Sequence, residues 1–137
     1  MKLQKTTEYS LRILIFMAKN PKQIHSAKSI IDHLNISDKY LRRIITRLSK
    51  FGFVESVQGK DGGYYFSKGI DKIFISEVID KFEGINKFAG CVLGFNECSS
   101  DHPCALHSKW MGIRTQLIKM LNETNLESLK IEDIKFF

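Results

Sequence analysis

No stretch of this chain is apolar for long enough to cross a bilayer. The longest candidate, Leu11 to Ala18, is interrupted by Arg12 and falls far short of the roughly 18–20 residues a spanning helix needs. A secretory signal pattern is also missing, because Gln4, Glu8 and Arg12 break any apolar core at the N-terminus. The expectation is a cytoplasmic protein with no membrane partner. Cysteine is scarce: there are three, and an odd number in a cytosolic chain argues against a disulfide framework. Catalytic signatures are lacking as well. There is no Gly-rich phosphate loop, no paired-carboxylate arrangement and no nucleophile beside a base, so an enzyme is the least favoured class. Acids are few in the first half, where residues 1–70 carry thirteen Lys/Arg against five acids (Glu8, Asp32, Asp38, Glu55 and Asp61). The remainder holds eight bases against ten acids. A basic half joined to a mildly acidic one points to a polyanion-binding module with a separate second function.

What is present fits one domain of 137 residues with room for one core and an appendage. Residues 2–19 read as a first helix, with Leu11, Leu14, Ile15 and Ala18 at helical spacing and Asn20-Pro21 ending the pattern. Ser26 caps a short second helix, Ala27 to Leu34, with Ile30, Ile31 and Leu34 inward. After a tight connection at Asn35-Ile36, Ser37 caps a third helix running to about Lys50. Its Leu41, Ile44, Ile45 and Leu48 form one apolar stripe, leaving Lys39, Arg42, Arg43, Thr46, Arg47 and Lys50 outside it. A short helix, a turn and a helix with a basic outer face match a helix-turn-helix. The stripe docks the helix while cations and hydroxyls face phosphates and base edges in a major groove.

A hairpin follows. Phe53 to Val57 alternates like a strand and Tyr64-Tyr65-Phe66 is a second strand signal. The connecting Gln58-Gly59-Lys60-Asp61-Gly62-Gly63 has glycines that permit positive φ and close backbone approach to a phosphate, with Lys60 at the tip. Helix, turn, basic helix and glycine-tipped hairpin in this order give the fold class: mostly α with a small β-hairpin wing, a winged helix-turn-helix, over residues 1–83. Ser76 is expected to cap the helix that closes this unit, with Val78, Ile79 and Phe82 on one side and Gly84 at its end.

Residues 84–104 read as a loop holding Cys91, Cys98 and Cys104, spaced Cys-x6-Cys-x5-Cys. Thiols confined to so short a glycine-containing segment favour a metal site, because a loop wraps several thiolates around one centre. A fourth ligand is required for tetrahedral zinc or an iron–sulfur cluster, and His107, three residues past Cys104, is the nearest candidate. Zinc sites usually show closer cysteine pairs, so the spacing leans toward a cluster. Residues 105–137 read as a dimerisation helix and C-terminal tail. The helix is expected from Pro103 onward, with Leu106, Trp110, Ile113, Leu117 and Met120 or Leu121 as a heptad-like seam. Thr124 or Asn125 is expected to cap a further turn, and Phe136-Phe137 to pack somewhere.

The whole chain resembles the iron–sulfur-sensing winged-helix regulators of the IscR and NsrR type, the BadM-type group. The matching stretches are Met1-Lys2-Leu3, Ile36-Ser37 with Tyr40-Leu41, Leu48 through Val54, Ser56 through Tyr64, and Ile75 through Ile79, followed by the three cysteines. The resemblance implies a homodimeric transcription regulator, repressor in type, that binds a double-stranded DNA operator. It implies a 2Fe–2S or 4Fe–4S cluster on Cys91, Cys98 and Cys104, through which redox state, nitric oxide or iron–sulfur status controls DNA affinity. The fourth ligand it implies is His107 or, from the first helix of a partner subunit, Glu8. The first cysteine interval is one residue longer than is common in the group. The implied DNA contacts fall on Ser37, Lys39, Tyr40, Arg42, Arg43, Thr46, Arg47 and Lys50 of the third helix. In the hairpin they fall on Gln58, Lys60, Gly62 and Gly63. Two alternatives carry the same cysteines: a zinc-stabilised or cluster-free DNA-binding regulator, and a small iron–sulfur carrier that would leave the basic helix idle.

Overall fold

The computed structural model describes residues 1–129. The expected packing of Phe136-Phe137 lies outside them. Among the described residues five helices run in chain order: α1 Lys5–Ala18, α2 Ala27–Leu34, α3 Asp38–Lys50, α4 Ile75–Glu83 and α5 His107–Glu123. Strands β1 Val54–Val57 and β2 Gly63–Phe66 lie between α3 and α4. Among the described residues, no helix is long and apolar enough to cross a membrane.

Local chemistry sets these boundaries. Ser26 and Ser37 cap α2 and α3 by accepting the amide hydrogens of Ser29 and Tyr40, at 3.1 Å each. Asn35 ends α2 in the left-handed region at φ 53°, a conformation that asparagine tolerates better than most residues. The expected cap by Ser76 is not formed. Phe74 stands at the N-cap of α4, its carbonyl taking the amides of Glu77 and Val78, which places Ser76 inside the first turn. Helix α5 starts four residues later than Pro103 suggests. The chain is still turning at Cys104, whose carbonyl accepts the amide of His107 at 3.1 Å. Helix α1 starts at Lys5 rather than Lys2 and has no side-chain cap.

Among the described residues the buried apolar side chains form one core. Leu41, Ile44, Ile45 and Leu48 of α3 are all buried, as their spacing requires. In α1 the buried set is Leu11, Ile13, Leu14, Met17 and Ala18. Ile15 is only half-buried, so the stripe sits further round the helix than its leucines suggested. Val78, Ile79 and Phe82 bring α4 into the same cluster, and Leu121 and Leu126 join it from the C-terminal side. After α5 the chain returns alongside the entry to α4. The Ile75 amide donates to the Thr124 carbonyl and the Leu126 amide to the Ile73 carbonyl, at 2.9 and 3.0 Å. Asn125, and not Thr124, caps the last described turn, its Oδ1 accepting the Ser128 amide at 2.7 Å.

The wing is an antiparallel pair with Val54 opposite Phe66 and Val57 opposite Gly63. His25 adds a third row. Its amide and carbonyl both bond to Tyr64, at 2.8 Å each, so β2 is flanked on both sides. This explains two glycines differently from the sequence pattern. A Cβ on Gly63 would run into the His25 carbonyl, and one on Gly62 into the Val57 carbonyl. Neither has positive φ; in the wing that conformation falls to Gly59, at φ 108°. The close backbone approach that Gly62 and Gly63 allow is to the chain itself.

Candidate functional site

The outer face of α3 carries a cluster of positive charge. Lys39, Arg42, Arg43, Thr46 and Lys50 are exposed on it. Arg42 is held by Asp38 one turn earlier at 2.7 Å, which raises its already high pKa through that hydrogen bond and the carboxylate's charge. Thr46 Oγ1 donates to the Arg42 carbonyl at 2.7 Å. Beside this face lies the wing, with Gln58 and Lys60 exposed near its tip. A cleft of ≈ 330 Å³ runs between them, lined by Arg42, Thr46, Ser49, Ser56, Gln58 and Tyr64. Ser49 and Ser56 escaped sequence reasoning. Ser49 follows Arg42 by two turns and Ser56 sits across from Tyr64, a juxtaposition visible only once the hairpin register is known.

Three residues of the expected interface direct their side chains into the chain. Ser37 is the α3 cap. Tyr40 meets Tyr9 of α1 edge-on, with ring centroids 5.5 Å apart. Arg47 folds back over Phe82, its Nη2 donating to the Phe82 carbonyl at 3.2 Å.

The cysteine segment leaves α4 through Gly84 and a short 3-10 turn, Ile85–Phe88. It is fastened to α5 at two points the sequence did not disclose. Trp110 Nε1 donates to the Gly90 carbonyl at 2.8 Å, and Arg114 donates to the Ala89 carbonyl at 2.6 Å. Beside these bonds, four of the five candidate ligands lie in pairs. Cys91 Sγ lies 3.6 Å from Cys104 Sγ, and Cys98 Sγ lies 3.6 Å from His107 Nδ1. All three thiols are free and half-buried. Among the described residues no three His, Cys, Asp or Glu side chains converge on one point. Glu8 lies elsewhere within the chain, ion-paired with Lys5 at 3.1 Å on the first turn of α1. Cys91 is drawn below the ordinary thiol range. The backbone amide of Phe95 is the main cause, helped by those of Leu93 and Gly94 and by Cys104, against the opposing effect of burial. A lowered thiol pKa favours the thiolate, which is the metal-binding form.

The expected seam on α5 divides. Leu121 is buried and Leu117 packs against the core, while Trp110 is engaged with Gly90. Leu106, Ile113 and Met120 remain uncovered, at 41%, 60% and 54% exposure.

Comparison with known proteins matches this architecture throughout. The family model described as "Rrf2: Iron-dependent Transcriptional regulator" matches residues 3–132. The chain is 34% identical over 131 residues to the HTH-type transcriptional regulator NsrR of Bacillus licheniformis, covering 94% of this chain and 92% of that one. Among solved structures it is similar to CymR, the global cysteine regulator of B. subtilis, with a TM-score of 0.79 and 29% identity over 98% of this chain and 99% of that chain. It shares its fold with T. potens IscR, at a TM-score of 0.71 and 22% identity, over 100% of this chain and 94% of that one. The relatives are transcription regulators and not enzymes, and the winged helix-turn-helix is theirs. The chain belongs to the Rrf2 family of transcriptional regulators.

Proposed function

We propose that this regulator senses redox or iron–sulfur status through a 2Fe–2S cluster held by Cys91, Cys98, Cys104 and His107, and that the state of the cysteine segment sets operator affinity. The observation that carries this reading is the pairing of the ligands. Two sulfurs on one tetrahedral metal, with bonds near ~2.3 Å, stand about 3.8 Å apart, and a sulfur and an imidazole nitrogen about 3.6 Å. Cys91 with Cys104, and Cys98 with His107, each span one such edge at 3.6 Å. A single zinc would gather all four ligands around one point, and a four-iron cluster would separate them one to each iron. Two separate pairs suit a centre with two metals, each taking two protein ligands. A bound 2Fe–2S cluster would supply a one-electron redox couple.

The chain's own residues connect this segment to DNA binding. Lys39, Arg42, Arg43, Thr46 and Lys50 would meet phosphates and base edges in the major groove, and Gln58 and Lys60 the flanking backbone. The segment begins where α4 ends, and that end is bonded to both α1 and α3. Displacing it therefore biases the position of the recognition helix. The uncovered Leu106, at the N-cap of α5, and Ile113 and Met120 within it recur every seven residues. Such a stripe fits a second copy of the chain, whose two-fold axis would match a palindromic operator.

The test compares operator affinity for the chain purified without oxygen, the same chain after removal of iron, and Cys98→Ala. The reading expects the last two to agree with each other and to differ from the first. Identical affinity in all three would contradict it.

A further inference from the structure

Arg47 sits on the basic side of α3 by sequence, where it reads as one more cation for DNA. Its side chain does something else. The guanidinium carbon lies 4.4 Å from the centre of the Phe82 ring and 5.8 Å from that of Phe51, and these two rings meet edge-on at 5.5 Å. Nη2 donates to the Phe82 carbonyl at 3.2 Å, thirty-five residues away in the chain. That carbonyl belongs to the last turn of α4, where helix carbonyls lack intrahelical donors and the helix dipole is negative. A planar cation stacked on an aromatic face and bonded to such a carbonyl is placed by shape as well as by charge.

The position of this contact gives it a consequence. Phe82 precedes Glu83, whose carboxylate takes the Thr7 hydroxyl and, at 2.9 Å, the Gln4 amide at the start of α1. On the other side Lys87, inside the turn that leads to Cys91, binds the same carboxylate at 2.6 Å. The end of α4 is therefore one junction joining α1, the cysteine segment and, through Arg47, the recognition helix.

We propose that Arg47 is a positioning residue for DNA binding: it fixes the recognition helix on the end of α4 and contacts no phosphate. This rests on the reading of α3 as the recognition helix, and the two ideas fail in different ways. A cation that meets a phosphate adds about one to the slope of log affinity against log salt. A cation that positions the helix adds nothing to that slope, yet its loss weakens discrimination between sequences.

The probes are a duplex that the full-length chain recovers from a random-sequence pool and a scrambled duplex of equal length. Arg47→Met is expected to leave the salt slope unchanged and to lower the ratio of the two affinities by about tenfold. Arg47→Lys keeps the charge without the planar fork and should behave like the Met variant. Arg43→Met, altered on the exposed face, should lower the slope by about one. A slope lowered by about one in Arg47→Met and restored in Arg47→Lys would overturn the proposal. Amide exchange without DNA gives an independent reading. Arg47→Met should speed exchange at Phe51 and Gly84, and unchanged protection there would also overturn it. If α3 is not the recognition helix, Arg43→Met leaves DNA binding unaltered, while the exchange result still decides the role of Arg47.

Discussion

The hydroxyl of Thr7 donates to the carboxylate of Glu83, seventy-six residues further along the chain. The Glu83 side chain is fully buried and also receives the Gln4 amide and the Lys87 ammonium. Burial pushes its carboxyl group up, but the bonds from Lys87, Thr7 and Gln4 together outweigh that and hold it below its ordinary value near 4.5. A carboxyl whose pKa is depressed by folding binds its proton more readily in the unfolded chain. Its contribution is therefore present above about pH 4.5 and is lost as the pH falls through the folded value. Glu83→Gln should cost about 2 kcal/mol at neutral pH and flatten the acid limb of the stability curve. Denaturant titrations between neutral and acid pH measure both, and parallel curves for the two proteins would contradict the assignment.

The wing depends on the absence of a side chain at Gly63. A methyl group there would meet the His25 carbonyl, part of the doubly bonded bridge to Tyr64. Gly63→Ala is expected to cost about 2–3 kcal/mol, as overpacking against rigid backbone does, and to weaken DNA binding with it. Thermal melts and DNA titration should move together. A melt like that of the wild type would mean that β2 tolerates displacement.

Much of this fold was legible before any coordinates. The apolar stripe of α3, the caps at Ser26 and Ser37 and the glycine-tipped hairpin are local signals, and each lies where its chemistry requires. What escaped depends on partners distant in sequence. His25 carries no strand pattern of its own and joins the wing only because Tyr64 arrives beside it. Arg47, like Arg43, projects outside the apolar stripe of α3, and Phe82 is what turns it away from solvent. At the cysteine segment the proposed ligands, His107 among them, were named from spacing. Their division into pairs was not, because it depends on how the segment folds back beside α5, where Trp110 and Arg114 bond to Gly90 and Ala89.

Trp110 should be needed for the shape of that segment. Trp110→Phe keeps most of the ring and removes the bond to the Gly90 carbonyl, a loss of about 1 kcal/mol. In the metal-free chain the expected result is faster labelling of Cys91 and Cys98 by a thiol reagent, with little change in melting temperature. Unchanged labelling rates would show that the bond does not hold the segment.

On α5 the uncovered stripe makes a separate prediction. Ile113→Glu combined with Met120→Glu places two charges on the face assigned to a second copy, while Leu117 and Leu121 keep their places against the core. Sedimentation should show a dimer for the wild type and a folded monomer for the double variant. A dimer that survives both charges would place the interface elsewhere.

The most direct test of the account is the metal centre itself. Iron and acid-labile sulfide should be measured, with Mössbauer spectra, on the chain purified without oxygen. The pairing of Cys91 with Cys104 and of Cys98 with His107 predicts two irons and two sulfides per chain. The two irons should be inequivalent, one bound by two thiolates and the other by a thiolate and an imidazole. One zinc per chain, or four irons, would contradict it.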